Sequence, residues 1–142
     1  MDDLSKKKCV PCEGGIPSFN LGEIHKYLKK VDGWDAKKNE DENFYLLKEF
    51  KFENFVNAQD FVNKVGNIAE TEGHHPDIWF GWGYAKIKIF THAINGLAES
   101  DFILAAKIDK IIQCLKCLVF EKTNIVFVLF ANFIISLSRI DP

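Results

Sequence analysis

Between residues 44 and 92 the hydrophobic period changes twice, and few folds accommodate that. Phe44, Leu46, Phe50 and Phe52 alternate with Tyr45, Leu47, Glu49 and Lys51. A period of two predicts a strand or a hairpin over 43–53, with Lys48 as a turn or bulge. From Asn54 to Glu72 the period becomes helical. Phe55, Ala58, Val62, Val65 and Ala69 share one face, and Phe61 and Ile68 widen it. Gly73 stops this helix, and Pro76 forbids its resumption. A short strand follows over Ile78–Trp82 and a second over Tyr84–His92, joined tightly at Gly83. On the second strand Ala85, Ile87, Ile89 and Thr91 share one face; Tyr84, Lys86, Lys88, Phe90 and His92 share the other.

Helices flank this block. Asn20 and Glu23 form a near capping box for a helix over Leu21–Val31, ended by Gly33. Ser100 is the expected N-cap of a last helix, with Asp101 favouring its positive end and Leu104, Ile108, Ile111 and Leu115 as its buried stripe. The order is helix, two strands, helix, two strands, helix. Short strand links favour antiparallel pairing. The expected fold is α+β: a four-stranded antiparallel sheet with three helices packed on one face, in two layers. Residues 1–19 read as an irregular lead-in, 20–112 as the folded domain and 113–142 as an atypical tail.

The chain has 142 residues, enough for one core; 47% are hydrophobic and 27% charged, which excludes wholesale disorder. A net charge of −2 offers no basic excess for a nucleic-acid backbone. The start, Met-Asp-Asp-Leu-Ser-Lys-Lys-Lys, lacks the apolar core of a secretion signal, so a cytoplasmic protein is expected. The tail carries sixteen uncharged residues, Thr123–Ser138. That falls short of the roughly 20 a membrane span needs. It reads as a packed or oligomer-facing element, as a membrane anchor (the less favoured option), or as a segment foreign to the functional protein.

Three of four histidines, His74, His75 and His92, lie within one stretch alongside Glu70, Glu72, Asp77 and Asp101. His25 reads as surface. Adjacent histidines on extended chain point apart and make poor joint metal ligands, and no H-E-x-x-H spacing occurs. The pairs Cys9-Val-Pro-Cys12 and Cys114-Leu-Lys-Cys117 have the local spacing of zinc thiolates but stand about a hundred residues apart. Neither sits as a thioredoxin-type pair would. Metal-free acid–base chemistry fits better. Imidazole titrates at about 6.5, so one ring can donate while another accepts. Trp79, Phe80, Trp82 and Tyr84 read either as ordinary packing or as a wall for a flat heterocycle.

The spacing Glu70, His74-His75-Pro76, Trp82, His92, Asp101 closely resembles the signature of the pterin-4a-carbinolamine dehydratases, also called 4a-hydroxytetrahydrobiopterin dehydratases. Gly33-Trp34, the Phe-rich strands, Asn95–Asp101 and the lead-in Cys9–Gly15 are similar to that family too. The resemblance covers roughly residues 4–112; the tail has no counterpart in it. It implies a lyase that eliminates water from a 4a-hydroxytetrahydropterin, with no cofactor and no metal. By the same resemblance His74, His75 and His92 are the catalytic histidines; we assign His74 and His92 as acid/base groups and His75 as mainly an orienting one, with a share in the proton work as the alternative. Glu70, Trp82, Thr91 and Asp101 are the implied substrate-binding set. Asp101 either holds His92 or caps the last helix; Trp34 either flanks the site or is structural. The implied assembly is a homodimer or homotetramer, with no nucleic acid bound directly. The rival expectations are a non-catalytic dimerisation cofactor of a transcription factor, or a helper in another pterin or molybdopterin pathway.

Overall fold

The last helix organises the core. The computed structural model describes residues 3–9 and 17–114, and residues 99–114 are helical (α3). Phe102, Leu104 and Ile108 on α3 are fully buried. Two further helices precede it: α1, Leu21–Leu28, and α2, Phe55–Glu72. The sheet contains β1 (Asp35–Lys38), β2 (Phe44–Lys51), β3 (Asp77–Gly81) and β4 (Tyr84–Ile89) in spatial order β1-β2-β4-β3, antiparallel throughout. This is the expected two-layer α+β fold. The chain divides into units Met1–Ile111 and Ile112–Pro142; of the second, only residues 112–114 are described. From residue 115 on, the tail lies outside the described residues.

Cross-strand register sets the faces. Leu46 opposes Ile89, Phe50 opposes Ala85, and Ile78 opposes Ile87. Leu46, Ile87, Ile89 and Ala85 are sealed from solvent beneath the helices. On α2 the buried residues are Ala58, Phe61, Val65 and Ala69, so the stripe is centred on Phe61 rather than Val62. Phe61 sits between Phe50 and Phe52, with ring centroids 4.7 and 5.1 Å away. Burying such a ring contributes about 1.5–3 kcal/mol.

Several boundaries differ from the sequence expectation. The expected capping box on α1 is present, with Asn20 and Glu23 each accepting the other's backbone N–H. The helix stops at Leu28, however, and turns through Lys30 and Val31. The strand over 43–53 is not itself a hairpin. It is one continuous strand, and its hairpin partner is β1, Asp-Ala-Lys-Lys, an edge without apolar alternation. Lys48 is neither turn nor bulge. It lies on the core face opposite Ile87 and reaches Asp109 of α3 at 2.7 Å. β4 ends at Ile89, so His92 is not on a strand: His92–Ile94 forms a single 3-10 turn. Ser100 lies inside α3 rather than capping it.

Asp109 ties α3 to β2 and to the chain that enters β1. It is only 6% exposed and accepts from the Asp32 amide (3.0 Å), the Trp34 indole (3.0 Å) and Lys48 Nζ (2.7 Å). Trp34 is thus a structural residue. Removing one partner of a buried pair strands the other without solvent, at a cost of about 3–5 kcal/mol. Asp109→Ala is accordingly expected to lower unfolding free energy by about 3 kcal/mol in urea titrations; a loss below about 1 kcal/mol would contradict the anchoring role.

Candidate active site

The antiparallel β3–β4 pair brings two loops together. Asp77 opens β3 and opposes Lys88 near the end of β4. Residues just before 77 and just after 89 therefore share one end of the sheet. His74 and His75 enter from α2, and Thr91 and His92 leave β4 there.

Local chemistry fixes His74. Gly73 takes the left-handed conformation, φ 62°, that closes α2. Its N–H bonds Glu70 O, and the His74 N–H bonds Ala69 O at 3.0 Å. The backbone of His74 is thereby held by the helix it follows. Its side chain is 12% exposed, and Nε2 lies 2.9 Å from Oδ1 of Asp101, which is fully buried. The other Asp101 oxygen accepts from Thr91 Oγ1 at 2.9 Å and from the Ala98 N–H at 2.7 Å. An ionised carboxylate only accepts. This network assigns the His74 proton to Nε2 and leaves the lone pair on Nδ1.

Asp101 thus caps α3 by reaching back to the Ala98 amide. It holds His74, not His92. Thr91 is buried and serves this carboxylate. It also closes the 91–96 loop, giving its N–H to Gly96 O at 2.9 Å. Gly96 is required there: a Cβ would come within 2.8 Å of Ser18 Cβ. His92 is exposed, its ring 4.2 Å from that of Phe90. His75 is exposed as well, and its Nε2 meets Glu70 Oε2 at 2.9 Å. Glu70 therefore orients an imidazole, through a solvated contact of little energetic weight.

The chain belongs to the pterin 4 alpha carbinolamine dehydratase family. The model of that family matches residues 17–111. A Rubrobacter xylanophilus protein named "Putative pterin-4-alpha-carbinolamine dehydratase" is 49% identical over 111 residues, 78% of this chain and 100% of its own. A Methylococcus capsulatus protein of the same name is 50% identical over 108 residues, 76% of this chain and 92% of its own. A Brucella melitensis structure titled transcriptional coactivator/pterin dehydratase superposes with a TM-score of 0.60 at 28% identity, covering 66% of this chain and 97% of that one.

Not every residue singled out in this dehydratase-family chain reaches the histidine end. Trp82 is 75% exposed in the turn between β3 and β4, a strand length of roughly 15 Å from the histidine loops. Trp79 and Tyr84 lie on the outer sheet face, and Phe80 packs on Phe55. Within one chain, then, the expected aromatic wall does not surround the histidines. Behind the site lies Glu72, which the sequence groups with the histidines without showing its partners. Glu72 accepts the Cys9 N–H at 2.8 Å and bonds Lys107 of α3. The Cys9 amide, then Lys107, hold its carboxyl below the usual 4.5. Cys9 itself is buried, and burial, reinforced by the Glu72 charge, pushes its thiol up to about 12. No group of three metal-ligating side chains occurs among the described residues, and no described helix is long and apolar enough to cross a membrane.

Two outcomes follow from these shifts. A lowered carboxyl pKa means that the unfolded chain binds more protons in acid. The Glu72 contribution to stability is complete above 4.5 and is lost as pH falls below it. Unfolding midpoints measured from pH 7 to pH 3 should therefore fall more steeply for the wild type than for Glu72→Gln; parallel curves would refute the assignment. Iodoacetamide at pH 8 should label exposed Cys114 and leave Cys9 unmodified in the native protein, as read by peptide mapping.

Proposed function

We propose that this chain is a 4a-hydroxytetrahydropterin dehydratase working by histidine acid–base catalysis. The observation that carries the reading is the buried Thr91–Asp101–His74 chain of hydrogen bonds, which sets one imidazole in a defined tautomer beside two solvent-facing ones. The reaction breaks the C4a–O bond. The N5 lone pair forms the C4a=N5 bond, an acid delivers a proton to the departing hydroxyl, and a base removes the N5 proton. The product is the quinonoid dihydropterin plus water. His74 and His92 are the acid/base pair. With Nε2–H held by Asp101, His74 presents Nδ1 to the substrate. Asp101 holds the ring in the orientation from which His74 takes a proton. His92, on its own turn, meets solvent. His75, steered by Glu70, orients the ring system. Each proton transfer of this kind contributes roughly 10²–10⁴ in rate.

Catalysis needs no further group in this scheme. Among the described residues β1 and β3 form the two edges of the sheet, and an edge strand suits assembly into the expected dimer or tetramer.

Stopped-flow dehydration of a 4a-hydroxytetrahydropterin at neutral pH tests the assignment. His74→Ala and His92→Ala should each lower kcat by about 10²-fold, and His75→Ala should chiefly raise KM. Unchanged kcat in either of the first two would remove that histidine from the pair. A wild-type chain with no turnover would overturn the enzymatic reading and favour the binding-module alternative.

A further inference from the structure

His74 and Asp101 belong to different elements, and something must hold those elements in register. His74 hangs from the end of α2; Asp101 sits in the first turn of α3. Their own 2.9 Å contact is part of the site and does not explain the alignment. Glu72, two residues before His74, is the last residue of α2 and carries two ties. Oε1 meets Lys107 Nζ, with side-chain exposures of 9% and 16%. Six residues separate Lys107 from Asp101, about 9 Å along the helix. Oε2 accepts the Cys9 amide at 2.8 Å. The segment carrying Cys9 runs on to the start of α3. The Cys9 thiol lies 3.5 Å from Ser100 O, and Lys7 Nζ meets Glu99 Oε1 at 2.9 Å. Residues 3–9 thus form a strap, seated by fully buried Leu4, that grips α3 immediately before Asp101. Glu72 fastens both the strap and the following turns of α3 to the helix that delivers His74.

We propose that Glu72 is a positioning residue of the active site, clamping the N-terminal strap and α3 to the end of α2 so that the Asp101 carboxylate meets His74 Nε2. The proposal rests on the reading that this pair serves the dehydration. The clamp bonds are charge-assisted and largely sheltered from water, the setting in which such bonds are strongest. Truncating Glu72 strands the Cys9 amide and the Lys107 ammonium together. The two helix ends then shift relative to one another, and a misplacement of about 1 Å near a reacting group costs up to about 10²-fold in rate. Glutamine keeps one acceptor oxygen for two donors, so it preserves half of the clamp.

The test uses the full chain with ¹⁵N-labelled histidine. In the wild type, the His74 ring should show a single Nε2-protonated tautomer by NMR. Glu72→Ala should convert that signature to averaging between tautomers, lower kcat about tenfold and leave KM within about twofold. Glu72→Gln should fall between the two. His75 and His92 signals should stay where they are. A merely structural role would lower the melting temperature without touching tautomer or kcat. A folded Glu72→Ala protein with wild-type tautomer and kcat overturns the proposal. If that variant does not fold, Lys107→Met decides: partial averaging with kcat down about threefold supports the clamp, and wild-type values for both overturn it. The tautomer signal needs no substrate. A chain without turnover would therefore sink the dehydratase reading while the clamp is still judged by NMR.

Discussion

A carboxylate sealed from water constrains everything around it. Asp101 has no solvent exposure, so each of its oxygens must find donors from the protein. It finds them on three separate pieces of chain: the imidazole after α2, the hydroxyl after β4, and the amide that opens α3. No two of these can drift without leaving a buried charge under-satisfied. A single side chain thereby fastens both loops of the histidine end to the core. The histidine end inherits its geometry from the cost of burying a polar group.

The same device recurs along α3. Asp109, two turns further on, gathers the Trp34 indole, the Asp32 amide and Lys48. Lys107, between the two aspartates, ties back to Glu72 at the end of α2. The helix therefore presents alternating apolar and ionic attachments. Phe102, Leu104 and Ile108 supply burial, while the charged groups specify which loop meets which turn. Apolar packing alone tolerates sliding of helix over sheet, because dispersion and burial are not directional. Hydrogen-bonded carboxylates are directional, so they select one registration among the well-packed ones.

Much of this architecture was legible because periodicity reports burial. The change from period two to helical spacing at Asn54, the stop at Gly73 and the return to period two at Ile78 reflect which residues face the core. Three features escaped for physical reasons. β1 is Asp-Ala-Lys-Lys; an exposed edge buries nothing, so alternation leaves no trace in it. Lys48 broke the pattern of β2 because its partner, Asp109, is sixty-one residues away, and a long-range ion pair has no local signature. His92 continued the alternation of β4 on paper, yet Asn95 at φ 48° and the Thr91–Gly96 bridge fold the chain back first. The residue types of the site were readable. Which carboxylate serves which histidine was not, since that depends on how α3 lies against the end of α2.

The two carboxylate–histidine pairs show why that distinction matters. His74–Asp101 and His75–Glu70 have the same 2.9 Å separation, yet their surroundings differ completely. His75 and Glu70 are 65% and 84% exposed, so water competes for every donor and acceptor and the pair holds its geometry weakly. His74 and Asp101 are 12% and 0% exposed, and the carboxylate is already committed to two other donors. Water competes for the first pair; the second sits on a carboxylate whose other oxygen is already tied to Thr91 and to the start of α3. One imidazole is thereby fixed in the fold, while the other follows its solvated surroundings.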